Sequence, residues 1–210
     1  GFDPTADSLT IGNLVPIMLL AHFQRAGHHP VVVMGGGTGL IGDPSGKSAE
    51  RPLLTAGQVA QNVEAQRSIF ERVLDFSASC DNRAEIVDNL DWLSRIGFIE
   101  LLRDVGKHFS VNVMMQKESV SSRLNEREQG ISYTEFSYQI LQAYDFLHLH
   151  RTRGVTIQMG AALSSIQARS TLLVGQLPIQ ITTSGLSRSA AFGLRRIVSY
   201  VVTRCGTVPA

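Results

Sequence analysis

A short run, Val31-Val32-Val33-Met34, is apolar at every position and mostly β-branched. A strand that fails to alternate between apolar and polar is buried on both faces, as in parallel sheets. Before it, Leu14 to Gly27 carries apolar residues at helical spacing and stops at Gly27; His28-His29-Pro30 then turns the chain. Gly1 to Asn13 reads as a strand end, a loop and the start of that helix. Strand, helix and strand within roughly 30 residues form a βαβ unit, with parallel strands and a right-handed crossover. An α/β domain is therefore expected. A chain of 210 residues suffices for one, with room for a small insertion.

The segments around these strands carry the chemistry. The first is GFDPTADSLTIGN, Gly1 to Asn13. Asp3, Thr5, Asp7 and Ser8 suit turn and helix-start positions. Gly12, without a Cβ, lets a planar group lie against the backbone, and free amides at a helix start bind phosphate. An ordinary capped helix accounts for the same residues. The second segment is GGGTGLIGDPSGKS, Gly35 to Ser48. Gly37, Gly39 and Gly42 satisfy the GxGxxG dinucleotide pattern, but Asp43-Pro44 falls where that motif continues as helix. Gly46-Lys47-Ser48 resembles the end of a phosphate-binding loop, with Gly42 one residue too close. A turn-rich loop without a ligand is the third reading.

Thr55 to Leu74 is helical in pattern, with Val59, Val63, Ile69, Phe70 and Val73 among polar residues, and reads as structural. Asp75 to Arg83 is polar and loop-like. Glu85 to Asn89 forms a strand that turns at Asn89-Leu90-Asp91-Trp92, where Asn89 suits a helix cap. Within Ile99 to Leu124, Phe109, Val111, Val113, Met114 and Met115 make an apolar patch for an interface or for the core. Lys107 and His108 beside it are read as interface or surface residues.

The richest constellation is GISYTEFSYQILQAYDF, Gly130 to Phe146. As a helix it aligns Tyr138, Gln142 and Asp145 at i, i+4 and i+7 in one polar stripe. Ile140, Leu141 and Phe146 lie on other sides and are expected to pack inward. A phenol, an amide and a carboxylate in line suit a zwitterion with a phenolic tail. A solvated helix face is the alternative. Val155 to Gly160 then alternates like a strand.

These motifs together resemble the bacterial-type tyrosyl-tRNA synthetases. GFDPTADSL precedes the tetrapeptide that is HIGH in class I enzymes and Thr10-Ile11-Gly12-Asn13 here, so both histidines are replaced. Thr10 and Asn13 still offer hydrogen bonds to phosphate or ribose. GGGTGLIGDPSGK and YQILQAYDF also fit the pattern. The resemblance covers Gly1 to Gly160. It implies a Rossmann-like parallel sheet with flanking helices and an inserted helical segment near residues 95–130 that forms a homodimer interface. It implies that Asp3 and Gly12 bind ATP and that Thr5, Thr10 and Asn13 act in catalysis. Gly1, Asp43, Asn89, Tyr138, Gln142, Asp145 and Gln158 would bind substrate. Asp43, Tyr138 and Gln142 would meet its ammonium, Asp145 its phenol. The implied reaction joins L-tyrosine to ATP and transfers the tyrosyl group to tRNA(Tyr). Mg²⁺ would travel with ATP rather than on a protein-built metal site. The family places a tyrosine just ahead of Gly1, so the chain is expected to be truncated there.

Composition marks a boundary. From Ala161 to Ala210 there is no Asp, Glu, Lys, His or Asn, and five arginines are the only charges. That leaves 14 of the 19 basic residues with all 18 acidic ones before the break. The family's GGSDQWGNI-like segment, whose aspartate binds ribose, is absent here, where the chain reads Gly160-Ala161-Ala162-Leu163. A tail out of frame with the rest is expected; a basic, tRNA-facing tail is the alternative. The overall charge of +1 makes no electrostatic case for nucleic acid. Cys80 and Cys205 suggest neither a disulfide framework nor a metal site. No run is long enough to span a membrane, and a cytoplasmic protein is expected. Two other readings are an inactive synthetase fragment that keeps tyrosine binding, and a different nucleotide-binding α/β enzyme using the glycine loop.

Overall fold

The computed structural model describes residues 1–42, 53–116, 120, 121, 124, 130–160 and 179–182, with backbone alone for 159–160 and 179–182. The central strand is β1 (Val31–Met34), paired in parallel with β2 (Glu85–Asp88), Val31 opposite Glu85 and Met34 opposite Asp88. On the other edge of β1, Phe2 makes a parallel bridge to Met34. Phe2 N–H donates to Val33 O, and Gly35 N–H to Phe2 O, both at 2.8 Å. Three parallel segments thus end at one level. A second parallel pair joins β3 (Ile157–Gly160) to β4 (Ile179–Thr182).

The apolar run of β1 faces two layers. Val32 and Met34 are wholly buried in a core with Phe2, Ile17, Val59 and Phe70, under helices α1 (Ile11–Arg25) and α3 (Ala56–Glu71). Val31 and Val33 are half-buried on the opposite face, packed toward Val87, Trp92 and Leu149. That face is covered by the long helix described below. Burial of such side chains contributes about 1.5–3 kcal/mol each, which fixes the strand between its layers.

Helix α1 begins earlier than its apolar spacing suggests. Thr10 is its N-cap, so Thr10-Ile11-Gly12-Asn13 is the helix start, while Asp3, Thr5, Asp7 and Ser8 lie ahead of it and do not cap it. The glycine segment is also more regular than a turn-rich loop. Gly36–Ile41 forms α2 directly after β1 and stops at Gly42, whose φ of 84° lies in the left-handed region. Helix α4 (Leu90–Leu93) follows β2.

The segment from Phe98 to Met115 is a series of short helical pieces. These are α5 (Phe98–Glu100), a π-helical turn over Leu101–Val105, a 3₁₀ turn over Gly106–His108, and α6 (Val111–Met115). Val111, Val113 and Met115 are exposed and Phe109 is half-buried, but Met114 is buried, at 4 % exposure. Met114 therefore belongs to the core and not to the surface patch. Phe98, Ile99 and Leu102 add to the exposed apolar surface. Lys107 and His108 are exposed.

Helix α7 (Tyr133–Arg153) is capped by Ser132, whose hydroxyl accepts from Glu135 N–H at 3.2 Å, and ends at Gly154 with φ 65°. Arg153 pairs with Glu85 and ties its last turn to β2. His150 Nδ1 lies 2.9 Å from Val155 O where the chain turns into β3.

Candidate active site

Because the three parallel segments end together, the residues that follow them meet. These are Asp3 after Phe2, Gly35 to Thr38 after β1, and Asn89 after β2. Ligands of open α/β sheets bind at such carboxyl ends. A cavity of about 910 Å³ opens there and runs along α7 to β3. It is lined by Gly1, Asp3, Thr5, Thr10 and Asn13 from the first segment, and by Asn89, Tyr138, Gln142, Asp145 and Gln158. Ten of the twelve residues singled out in the sequence therefore share one cavity. Gly12 is exposed at the helix start and does not line it. Asp43 lies outside the described residues.

The start of α2 is already occupied. Asp88 Oδ1 accepts from Gly36 N–H at 3.0 Å, and Asn89 Oδ1 accepts from Gly37 N–H at 2.7 Å and Thr38 N–H at 3.4 Å. A phosphate at this helix start would have to displace a carboxylate and an amide that satisfy its amides. The dinucleotide reading fails for that reason; the phosphate-loop reading rests on Gly46-Lys47-Ser48, which lie outside the described residues. The glycines serve the protein's own side chains: a Cβ on Gly35 would collide with Asp3 Oδ1, and one on Gly36 with the Asp88 carboxylate. Burial raises the Asp88 pKa, against the hydrogen bonds from Leu90 and Gly36.

The polar stripe of α7 faces inward, so it is not a solvated helix face. Tyr138 and Asp145 are buried, whereas Ile140, Leu141 and Phe146, expected to pack inward, are only partly covered. Polar side chains are tolerated inside when hydrogen-bonded, and these are. Tyr138 Oη donates to Asp3 Oδ2 at 2.5 Å, and Thr38 Oγ1 donates to Asp3 Oδ1 at 2.7 Å. Asn89 Nδ2 reaches Thr38 Oγ1 at 3.1 Å and Asp145 Oδ2 at 2.9 Å. Trp92 Nε1–H donates to Asp145 Oδ1 at 2.7 Å, and its ring stacks on His148 with centroids 4.5 Å apart. A continuous chain of hydrogen bonds thus joins Trp92, Asp145, Asn89, Thr38, Asp3 and Tyr138.

Burial pushes the Asp145 carboxyl up to about 6. The hydrogen bonds from Asn89 and Trp92 oppose the rise, the Asp3 charge adds to it, and the Gly1 amino group opposes it weakly. His148 is held below its ordinary value by burial and by Arg153. A carboxylate with two fixed donors keeps lone pairs for one more donor, which a phenol in the cavity would supply.

At the other end, Asn13 Oδ1 accepts from Thr10 N–H at 3.0 Å and from Thr10 Oγ1 at 2.8 Å. The Thr10 hydroxyl hydrogen is thereby committed within the protein, while Asn13 lines the cavity. Thr38, Asp88 and Trp92 were not singled out in the sequence. Thr38 sat unremarked between glycines, and Trp92, at Asn89+3, carried the only signal, an indole donor one helical turn on. Among the described residues no helix is long and apolar enough to cross a membrane, and no three His, Cys, Asp or Glu are grouped to hold a metal ion.

Residues 1–160 match the model of the tRNA synthetases class I (W and Y). The chain is 60 % identical to the tyrosine–tRNA ligase of Opitutus terrae over 161 residues, 77 % of this chain and 37 % of that protein. It is 54 % identical to tyrosine–tRNA ligase 1 of Bacillus subtilis, over 77 % of this chain and 37 % of that one. Among solved structures, it resembles a C-terminally truncated mitochondrial tyrosyl-tRNA synthetase of Coccidioides posadasii, with a TM-score of 0.65 and 29 % identity over 76 % of this chain and 44 % of that one. The chain thus spans little more than a third of the length of the curated relatives it matches. With residues 1–160 matched by that model and relatives of this identity beside it, the chain belongs to the tRNA synthetases class I (W and Y).

Proposed function

We propose that residues 1–160 are the amino-acid-activating part of a tyrosine–tRNA ligase. The observation that carries this reading is the buried Asp145 carboxylate, held by Asn89 and Trp92 at the wall of a cavity that also contains Tyr138 and Asp3. A phenol is the substrate group that completes such a carboxylate. Asp145 receives it, and Tyr138 and Gln142, with Asp43, receive the ammonium. Asn89 and Gln158 border the pocket, as does Gly1. Asp3, Thr5, Thr10, Gly12 and Asn13 hold ATP. The tyrosine carboxylate attacks the α-phosphate and pyrophosphate leaves; the tRNA(Tyr) 3′ hydroxyl then takes the tyrosyl group and AMP leaves. No protein nucleophile is needed, so catalysis rests on positioning and electrostatics. Mg²⁺ arrives with the phosphates of ATP.

Residues near 95–130 form the inserted helical segment and, through the exposed apolar surface around Val113, a homodimer contact. Residues 161–210 are a divergent tail, and the protein works in the cytoplasm. Since the tail lacks the ribose-binding aspartate segment, we propose tyrosine binding with weakened adenylate formation. The compositional break favours a second reading, a fragment that binds tyrosine and activates none. Tyrosine-dependent ATP–pyrophosphate exchange, run beside calorimetric tyrosine binding, tests both. Binding with slow exchange supports the first, binding with no exchange the second. Absence of tyrosine binding ends both.

A further inference from the structure

We infer that Asn62 and Gln66, on one face of α3, are positioning residues that hold the Pro4–Ala6 backbone and present Thr5 to ATP. This rests on the reading of the first segment as the nucleotide-holding one. Asn62 Nδ2 donates to Pro4 O at 2.9 Å, and Gln66 Nε2 donates to Ala6 O at 2.8 Å. The donors are four residues apart, one helical turn, and so stack on the face turned to that segment. The carbonyls they hold flank Thr5 on both sides. Asp3 is fixed by Thr38 and Tyr138, and Pro4 is buried with Gly39 beneath its ring. Thr5 N–H donates to Asp3 O at 2.9 Å. Every neighbour of Thr5 is thus held from within, while the Thr5 side chain stays exposed at the cavity.

Gln66 also carries a mark of function over stability. It is 1 % exposed, and its Oε1 is buried without a hydrogen-bond partner among the described residues. A buried orphan acceptor is destabilising, and an apolar side chain of similar shape would avoid it. The amide is explained by the bond its nitrogen makes to Ala6. Methionine in its place removes the donor and the orphan acceptor together.

The experiment is calorimetric titration of ATP and, separately, of tyrosine into the full chain, its Asn62→Ala variant and its Gln66→Met variant, with melting temperatures for all three. Both variants should keep tyrosine affinity within about twofold and weaken ATP about tenfold, the effect of losing one such hydrogen bond. Gln66→Met should melt no lower than wild type. A merely structural role would instead lower the melting temperature and weaken both ligands together, or neither. Unchanged ATP affinity in both variants overturns the inference, as does a wild type that binds tyrosine but no ATP. A wild type that binds no tyrosine sinks the underlying reading. Should Gln66→Met fail to fold, the partly exposed Asn62→Ala decides the matter.

Discussion

Tyr138 Oη donates a 2.5 Å hydrogen bond to Asp3 Oδ2 across 135 residues of chain. It joins the second turn of a long helix to the end of the strand segment at Phe2. The other Asp3 oxygen is held by Thr38. The carboxylate is therefore a junction between the segment assigned to ATP and the helix assigned to tyrosine.

Tyr138→Phe removes one donor and leaves Asp3 with Thr38. Stability should fall by about 1 kcal/mol, seen as a lower urea midpoint with an unchanged slope. Tyrosine affinity should fall about tenfold if the phenol also serves the ammonium end, as proposed. An unaltered affinity would remove Tyr138 from the substrate site.

Asp145→Ala should weaken tyrosine binding and narrow its preference over phenylalanine. A buried carboxylate left without its donor rejects the smaller substrate more strongly than shape does; the handling of phenylalanine by this enzyme family is a standing example of that logic. Asn89 Nδ2 and Trp92 Nε1 would also lose their acceptor, so stability should drop by about 2 kcal/mol. Gln142→Ala should weaken both amino acids alike. Calorimetry with tyrosine and phenylalanine on both variants checks this. A tyrosine preference that survives Asp145→Ala would place the specificity pocket elsewhere.

The raised pKa of Asp145 has a definite sign in stability. In the unfolded chain the carboxyl ionises near 3.8, and in the folded protein near 6. Between those values folding takes up a proton, so the contribution of this group is most favourable below about pH 4 and declines as pH rises toward 6. The decline amounts to roughly 3 kcal/mol at one full linkage. Half-buried Asp88 shifts in the same direction. Urea unfolding of wild type and Asp145→Asn from about pH 4 to 7 should show a decline in the wild type that is much flatter in the variant. Parallel profiles would mean that Asp145 ionises freely in the folded state.

Val113 is 47 % exposed, beside Val111 and Met115 and on the segment that also exposes Ile99. If this surface meets its copy, Val113→Asp sets two unpaired carboxylates into a twofold contact and should favour monomers. Sedimentation should show the shift while the melting temperature holds. An unchanged oligomer with an intact fold would move the interface elsewhere. Met114, buried already, is no part of that surface.

Much of the fold was legible because it rests on period. The unbroken Val31-Val32-Val33-Met34 run announces a parallel strand, and the helical spacing of Tyr138, Gln142 and Asp145 puts them in one line. The glycine segment was less legible. Its letters fit three phosphate and turn readings, since the groups that cap α2, Asp88 and Asn89, sit about 50 residues away and reach it only through the β1–β2 pairing. Trp92 was missed as a functional residue for the same reason, its partner Asp145 lying 53 residues on.

The sequence by itself determined the strands β1 and β2, the long helices, their order, and the kinship that names the substrate of the relatives. Only the tertiary structure decided which side of α7 is inside. Period cannot tell a polar stripe in water from one in the core, because both have the same spacing. The choice depends on whether distant donors and acceptors arrive to satisfy the buried groups. Asp3, Thr38, Asn89 and Trp92 arrive because three parallel strand segments end at one level, and that meeting makes an inward stripe of phenol and carboxylate stable.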